Sequence, residues 1–116
     1  MSAVEMWLKP SCTTCRSAVA FLDARSVEFI RHDLAKERPP RELLARLVEQ
    51  HGIEKVMNPR GRTFRERGID PDALTKAAAV ELMLEEPNLM RRPLLLAGGK
   101  AVFGFDREAY EALARR

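Results

Sequence analysis

The hydrophobic and polar positions of this chain change period several times, and each change marks an element. Val4, Met6 and Leu8 alternate with Ala3, Glu5 and Trp7, which predicts a strand over Ala3–Leu8. Lys9-Pro10-Ser11 breaks it. From Thr13 to about Arg25, Val19, Ala20, Phe21 and Leu22 recur at helical spacing, with Ala18 and Ala24 as small fillers. Ser26–Leu34 reads as a second strand, weighted by Val27, Phe29 and Ile30 and turning polar at Arg31, His32 and Asp33. The right-handed crossover rule makes these two strands parallel neighbours.

Pro39-Pro40 stops that strand and suits the start of a helix. Leu43, Leu44, Leu47 and Val48 then form one stripe over Arg41–His51, and Gly52 ends it. Lys55–Arg67 is rich in turn formers and arginine, so no element is predicted there. Asp70-Pro71-Asp72 reads as the entry to a helix over Asp72–Leu84, stopped before Pro87. Leu94–Leu96 and Ala101–Phe103, joined across Ala97-Gly98-Gly99-Lys100, have the pattern of a hairpin. Asp106 can cap a last helix through Leu113, with Phe105, Ala109, Tyr110 and Leu113 on its buried side. The predicted order is β-α-β-α-α-β-β-α, an α/β chain with a mixed sheet covered by helices. With no repeat or linker, its 116 residues are expected to form one domain.

Composition changes little in this picture. Hydrophobic residues make up 46% and charged residues 32%, a globular balance. The net charge of +3 is too small to argue for direct nucleic-acid binding. No apolar run approaches the roughly 18 residues of a membrane helix, and the N-terminal residues lack a signal-peptide pattern. The expected location is the cytoplasm, with no membrane association. Arg62, Arg65 and Arg67 read as a solvated face, His32 and His51 as exposed histidines at element ends. Trp7 reads as a cover for the sheet.

The candidate chemistry lies in Cys12-Thr13-Thr14-Cys15, where the first strand hands over to the first helix. Free N–H groups and the helix dipole favour a thiolate there. Cys12, at the helix start, gains most; Cys15, a turn in, is more buried and more ordinary in acidity. A nucleophilic thiol followed by a nearby resolving thiol is what thiol-disulfide exchange uses. Inert core cysteines are one alternative. A zinc site is another, but it would need two further ligands, and neither His32 nor His51 has suitable spacing. No metal is expected.

Four motifs extend this reading: Cys12-x-x-Cys15, Asn58-Pro59-Arg60-Gly61, Arg91-Arg92-Pro93 before the hairpin, and Gly104-Phe105 after it. Together they resemble the glutaredoxin-linked arsenate reductase family, which includes the Spx transcription regulators. The resemblance implies a thioredoxin-like fold, a four-stranded mixed sheet with flanking helices and a helical insertion at about 39–86. It implies that Cys12 is the nucleophile, that Arg60 and Arg92 hold an oxyanion, and that Pro93 follows a cis peptide bond beside the active cysteine. Two departures stand out. Gly104 occupies the position of the reductases' third arginine, and Cys15 is a feature of the Spx group. The expected function is a thiol-disulfide oxidoreductase with Cys12, Cys15 and Arg92 as catalytic residues. It would bind no cofactor, work as a monomer and take electrons from glutathione, glutaredoxin or thioredoxin. The alternative is a redox-sensing regulator whose partner, as in Spx, is the RNA polymerase α subunit.

Overall fold

The computed structural model describes residues 3–115. It separates into two compact units, one running through Glu37 and resuming at Arg92, the other Arg38–Arg91.

The first unit holds the sheet. Strands β1 (Val4–Leu8), β2 (Ile30–Asp33), β3 (Leu94–Ala97) and β4 (Lys100–Phe103) lie in the order β2-β1-β3-β4. β1 and β2 are parallel, as the crossover rule requires, with Trp7 opposite His32. β3 runs antiparallel to β1, placing Leu95 opposite Met6. β3 and β4 form the predicted hairpin around Gly98-Gly99. Alternation sends Met6 and Leu8 to one face. There they meet Cys15, Ala18, Phe21 and Leu22 of helix α1 (Thr13–Ala24), together with Leu95 and Tyr110. The α1 residues recur every three to four positions, so one stripe of the helix faces the sheet. Burying Phe21 or Leu22 contributes about 1.5–3 kcal/mol each. Helix α6 (Arg107–Ala114) supplies Tyr110; the Asp106 carboxylate accepts the Ala109 N–H at 3.2 Å, the predicted cap. Phe21, Phe105 and Tyr110 pack edge to face, with centroids 4.9–6.0 Å apart.

β2 is shorter than its apolar residues suggest. Val27 and Phe29 pack against the core, yet pairing with β1 begins only at Ile30. Ser26, with φ of 58°, turns the chain immediately before them.

The second unit contains α2 (Arg41–His51), α3 (Ile53–Val56), α4 (Arg62–Arg67) and α5 (Lys76–Glu85), with 3₁₀ turns at Pro71–Ala73 and Pro87–Leu89. Leu44, Leu47 and Val48 of α2 are buried, as are Ala79, Val80 and Met83 of α5, against which α2 packs. Ion pairs Lys76–Glu49 (3.1 Å) and Arg41–Glu81 link the same two helices. The predicted helix over Asp72–Leu84 starts later. Asp70 caps only the 3₁₀ turn, through Asp72 N–H at 3.0 Å, and Thr75 caps α5 by accepting the Ala78 N–H at 3.1 Å. Helix α4 lies where no element was expected.

Candidate functional site

The segment before Cys12 is a tight turn. The Cys12 N–H donates to the Lys9 carbonyl at 2.9 Å, and Pro10 sits at the turn position where its fixed φ costs least. Cys12 is the N-cap of α1: its backbone is extended, and its carbonyl accepts the Arg16 N–H at 3.0 Å to open the helix. Its thiol makes no regular capping hydrogen bond and is half-buried, whereas Cys15 is 1% exposed. Both thiols are free.

Their acidities diverge. Desolvation pushes the Cys12 thiol up, but this is more than offset by the Cys15 N–H, the Cys15 thiol as donor, the Arg92 charge and the Thr14 N–H; its pKa falls below the ordinary thiol value. Desolvation dominates at Cys15, and hydrogen bonding to Cys12 together with its charge adds to it. The Lys9 backbone and Arg92 pull the other way without prevailing, and the pKa is pushed up to about 12.

Arg92 is half-buried in the first unit, where its guanidinium acts on both sulfurs. It precedes the buried Pro93 across a cis bond, as the resemblance implied. The Pro93 carbonyl accepts the Gly104 N–H at 2.9 Å, which ties the start of β3 to the end of β4. Gly104 has φ of +73°, and an added Cβ would meet nothing within 4 Å. Backbone conformation, not crowding, favours glycine there.

Arg60 belongs to the second unit, exposed on a turn closed by Gly61 N–H to Asn58 carbonyl at 2.9 Å. A Cβ on Gly61 would lie 3.0 Å from that carbonyl oxygen, so the turn has little room for a side chain. Arg91 has a structural task. Its Nε and Nη2 donate to the carbonyls of Lys55 (3.1 Å) and Glu54 (2.9 Å), satisfying the end of α3. Arg62 and Arg67 pair with Glu66 (3.2 Å) and Glu85 (3.3 Å).

His32 corrects an expectation. Rather than an exposed histidine, it is partly buried, stacked on Trp7 at 4.6 Å. Its Nε2 lies 3.0 Å from Glu5 and its Nδ1 2.7 Å from Glu37. Desolvation lowers its pKa, but the Glu37 and Glu5 hydrogen bonds and charges win and raise it. Among the described residues no group of three or more His, Cys, Asp or Glu is placed to hold a metal, and no helix is long and apolar enough to cross a membrane.

A mixed sheet in this order, with two thiols of opposed acidity at the mouth of its first helix, defines a thioredoxin-like protein. The chain belongs to the ArsC family, whose model matches residues 7–113. It is similar to the global transcriptional regulator Spx of Streptococcus agalactiae, 31% identical over 115 residues, covering 97% of this chain and 84% of that one. It is also similar to the regulatory protein MgsR of Bacillus subtilis, 34% identical over 99 residues, covering 84% of this chain and 79% of that one. The crystal structure of a possible arsenate reductase from Streptococcus mutans superposes with a TM-score of 0.84 at 31% identity, covering 97% and 98% of the two chains.

Proposed function

We propose that this protein is a thiol-disulfide oxidoreductase in which Cys12 is the nucleophile and Cys15 the resolving thiol. The observation that carries this reading is the placement of the two sulfurs, Cys12 half-buried at the N-cap of α1 and Cys15 fully buried one turn on, which sets their acidities apart. The Cys12 thiolate attacks a substrate disulfide, the S–S bond breaks, and one substrate thiolate leaves. Cys15 then gives up its proton and attacks Cys12; the mixed disulfide breaks, the second substrate thiol leaves, and Cys12–Cys15 is oxidised. Two reducing equivalents from glutathione, glutaredoxin or thioredoxin would restore the dithiol.

Arg92 holds the Cys12 thiolate and offsets negative charge that develops during attack. The anion-binding role of Arg60 and the positioning role of Pro93 rest on the family resemblance. With Gly104 in place of a third arginine, arsenate is a poor substrate in this reading.

Similarity to Spx and MgsR, both named as regulators, favours a second reading: the Cys12–Cys15 disulfide switches a surface that binds a partner such as the RNA polymerase α subunit. Turnover of a model disulfide and of arsenate, with glutathione-glutaredoxin or thioredoxin supplied, separates the two. Disulfide turnover lost in Cys12→Ser supports the enzyme. No turnover, with redox-dependent binding to the polymerase subunit, replaces it with the regulator.

A further inference from the structure

The thiol chemistry makes no use of His32, yet its ring is held on three sides. Trp7 lies opposite His32 in the β1–β2 pairing, and the two rings stack with centroids 4.6 Å apart, which fixes the plane of the imidazole. Glu5, two residues before Trp7, is on the same face of β1. Its carboxylate is 3.0 Å from His32 Nε2, and the Glu37 carboxylate is 2.7 Å from Nδ1. An ionised carboxylate only accepts, and a neutral imidazole has a single N–H. With both carboxylates ionised, the two contacts are hydrogen bonds together only when the ring carries its second proton. In the neutral ring, one nitrogen lone pair faces a carboxylate oxygen.

Glu37 reaches the ring because the chain after β2 folds back on itself. The Leu34 N–H donates to the Leu8 carbonyl at 2.9 Å, which ties the start of this turn to β1. The Asp33 carboxylate accepts the Ala35 N–H at 3.0 Å, and the Asp33 carbonyl accepts those of Lys36 (2.9 Å) and Glu37 (2.8 Å). Glu37 is also the last residue of the first unit before the chain passes into the second. The other charges around the ring are accounted for on each element. On β2, Arg31 is paired with Asp23 at 3.1 Å and Asp33 is engaged in the turn; Lys36 of the turn is exposed. On β3, the residues opposite Glu5 and Trp7 are the uncharged Leu96 and Leu94.

We propose that the His32–Glu37 contact is a proton-operated latch on the turn that leads out of the first unit, closed when His32 is an imidazolium and opened when it loses the second proton. Solvation decides which carboxylate is released. Glu37 is 59% exposed and sits on a turn, whereas Glu5 is 31% exposed on a strand paired on both sides. Water therefore takes over Glu37 at the lower cost, and the remaining N–H stays with Glu5. The two carboxylates outweigh desolvation and raise the His32 pKa, so opening falls above the ordinary histidine value of 6.5. The latch is closed below that value and opens as pH rises through the raised one. None of this depends on the oxidoreductase reading.

The measurement is amide hydrogen exchange by NMR across the His32 titration, with each rate divided by the intrinsic exchange rate at that pH. The amides of Lys36 and Glu37, both bonded to the Asp33 carbonyl, report whether the turn is closed. Imidazole nitrogen shifts in the same samples follow the ring itself; the chain has two histidines, and His51→Gln identifies the His32 signals. Protection of the two amides should fall about two- to five-fold as pH rises, the worth of one partly exposed ion pair, with the midpoint of the His32 ring. Glu37→Gln supplies the control. Its side-chain amide accepts from Nδ1–H or donates to the Nδ1 lone pair, so it bonds the ring in either state. The step in protection should flatten in this variant while His32 still titrates, at a lower pH than in the parent. Protection that is constant across the His32 titration overturns the proposal. So does a step whose midpoint departs from that of His32, or one that survives in Glu37→Gln.

Discussion

Cys12 and Cys15 stand one helical turn apart, and each drives the other's acidity in the opposite direction. The Cys15 thiol favours the Cys12 thiolate, and that thiolate in turn makes Cys15 harder to ionise. Burial decides which takes which role, because desolvation is outweighed at the half-buried Cys12 and prevails at Cys15.

The first expected outcome follows directly. In Cys15→Ser, which keeps a hydroxyl donor beside Cys12, iodoacetamide should react with a pH midpoint below that of an unperturbed thiol. In Cys12→Ser, Cys15 should stay unreactive through neutral pH. A midpoint for Cys15→Ser equal to that of a free cysteine would falsify the account of the helix start.

Arg92 acts on both sulfurs, so its removal should shift both. Arg92→Ala is expected to raise the Cys12 midpoint and slow exchange at neutral pH. The thiolate fraction falls about ten-fold per unit of pKa, and the greater nucleophilicity of a more basic thiolate recovers somewhat less than half of that on a logarithmic scale. Arg92→Lys keeps the charge and should recover part of the Cys12 midpoint. If Arg92→Ala and the parent have superimposable alkylation profiles, the guanidinium does not act on Cys12.

The His32 pair gives a stability prediction with a definite sign. Its folded pKa is raised, so the folded state binds the proton more tightly than the unfolded state. The contribution is complete below the unfolded value near 6.5 and is lost as pH rises through the raised folded value. Glu37 is 59% exposed, so solvent screens its share, and the effect should be on the order of 0.5–1 kcal/mol. Denaturant melts of the parent and Glu5→Gln, followed by the fluorescence of Trp7, the only tryptophan, should differ at pH 6 and converge at higher pH. A difference that grows as pH rises would reverse the sign and refute the assignment.

How far these features could be read beforehand depended on whether their causes are local in sequence. β1, α1, the β3–β4 hairpin and α6 carry a regular period or a side-chain cap, so they were legible. Helix α4 was not, because Arg62–Arg67 buries only Phe64 and presents no stripe; Gly68, in the left-handed region, ends it. The entry to α5 is ambiguous in sequence because Asp70 and Thr75 are both good caps, and only the fold decides that the first serves a 3₁₀ turn. The cysteine pair was legible from its place before a helix. The environment of His32 was not, since Glu5 lies 27 residues away and reaches it only through the β1–β2 pairing.

The last expectation concerns arsenate and Gly104. Three guanidiniums can surround a tetrahedral oxyanion, and the family resemblance puts Gly104 where the reductases carry the third. Loss of one charged donor to a developing anion costs about 2.7–4 kcal/mol, a hundred- to a thousand-fold in rate. The parent protein should therefore reduce arsenate poorly while exchanging disulfides through Cys12. Restoring the charge has a backbone cost, since Gly104 has φ of +73° and a side chain there is strained by about 1–2 kcal/mol even though the space is open. Gly104→Asn controls for that strain, because asparagine tolerates the left-handed region without adding charge. Gly104→Arg should lower thermal stability at least as much as Gly104→Asn does, yet raise arsenate turnover at least about ten-fold above it. Equal turnover by the two variants would mean that charge at this position does not limit the reaction, and efficient turnover by the parent would make arsenate a substrate without it.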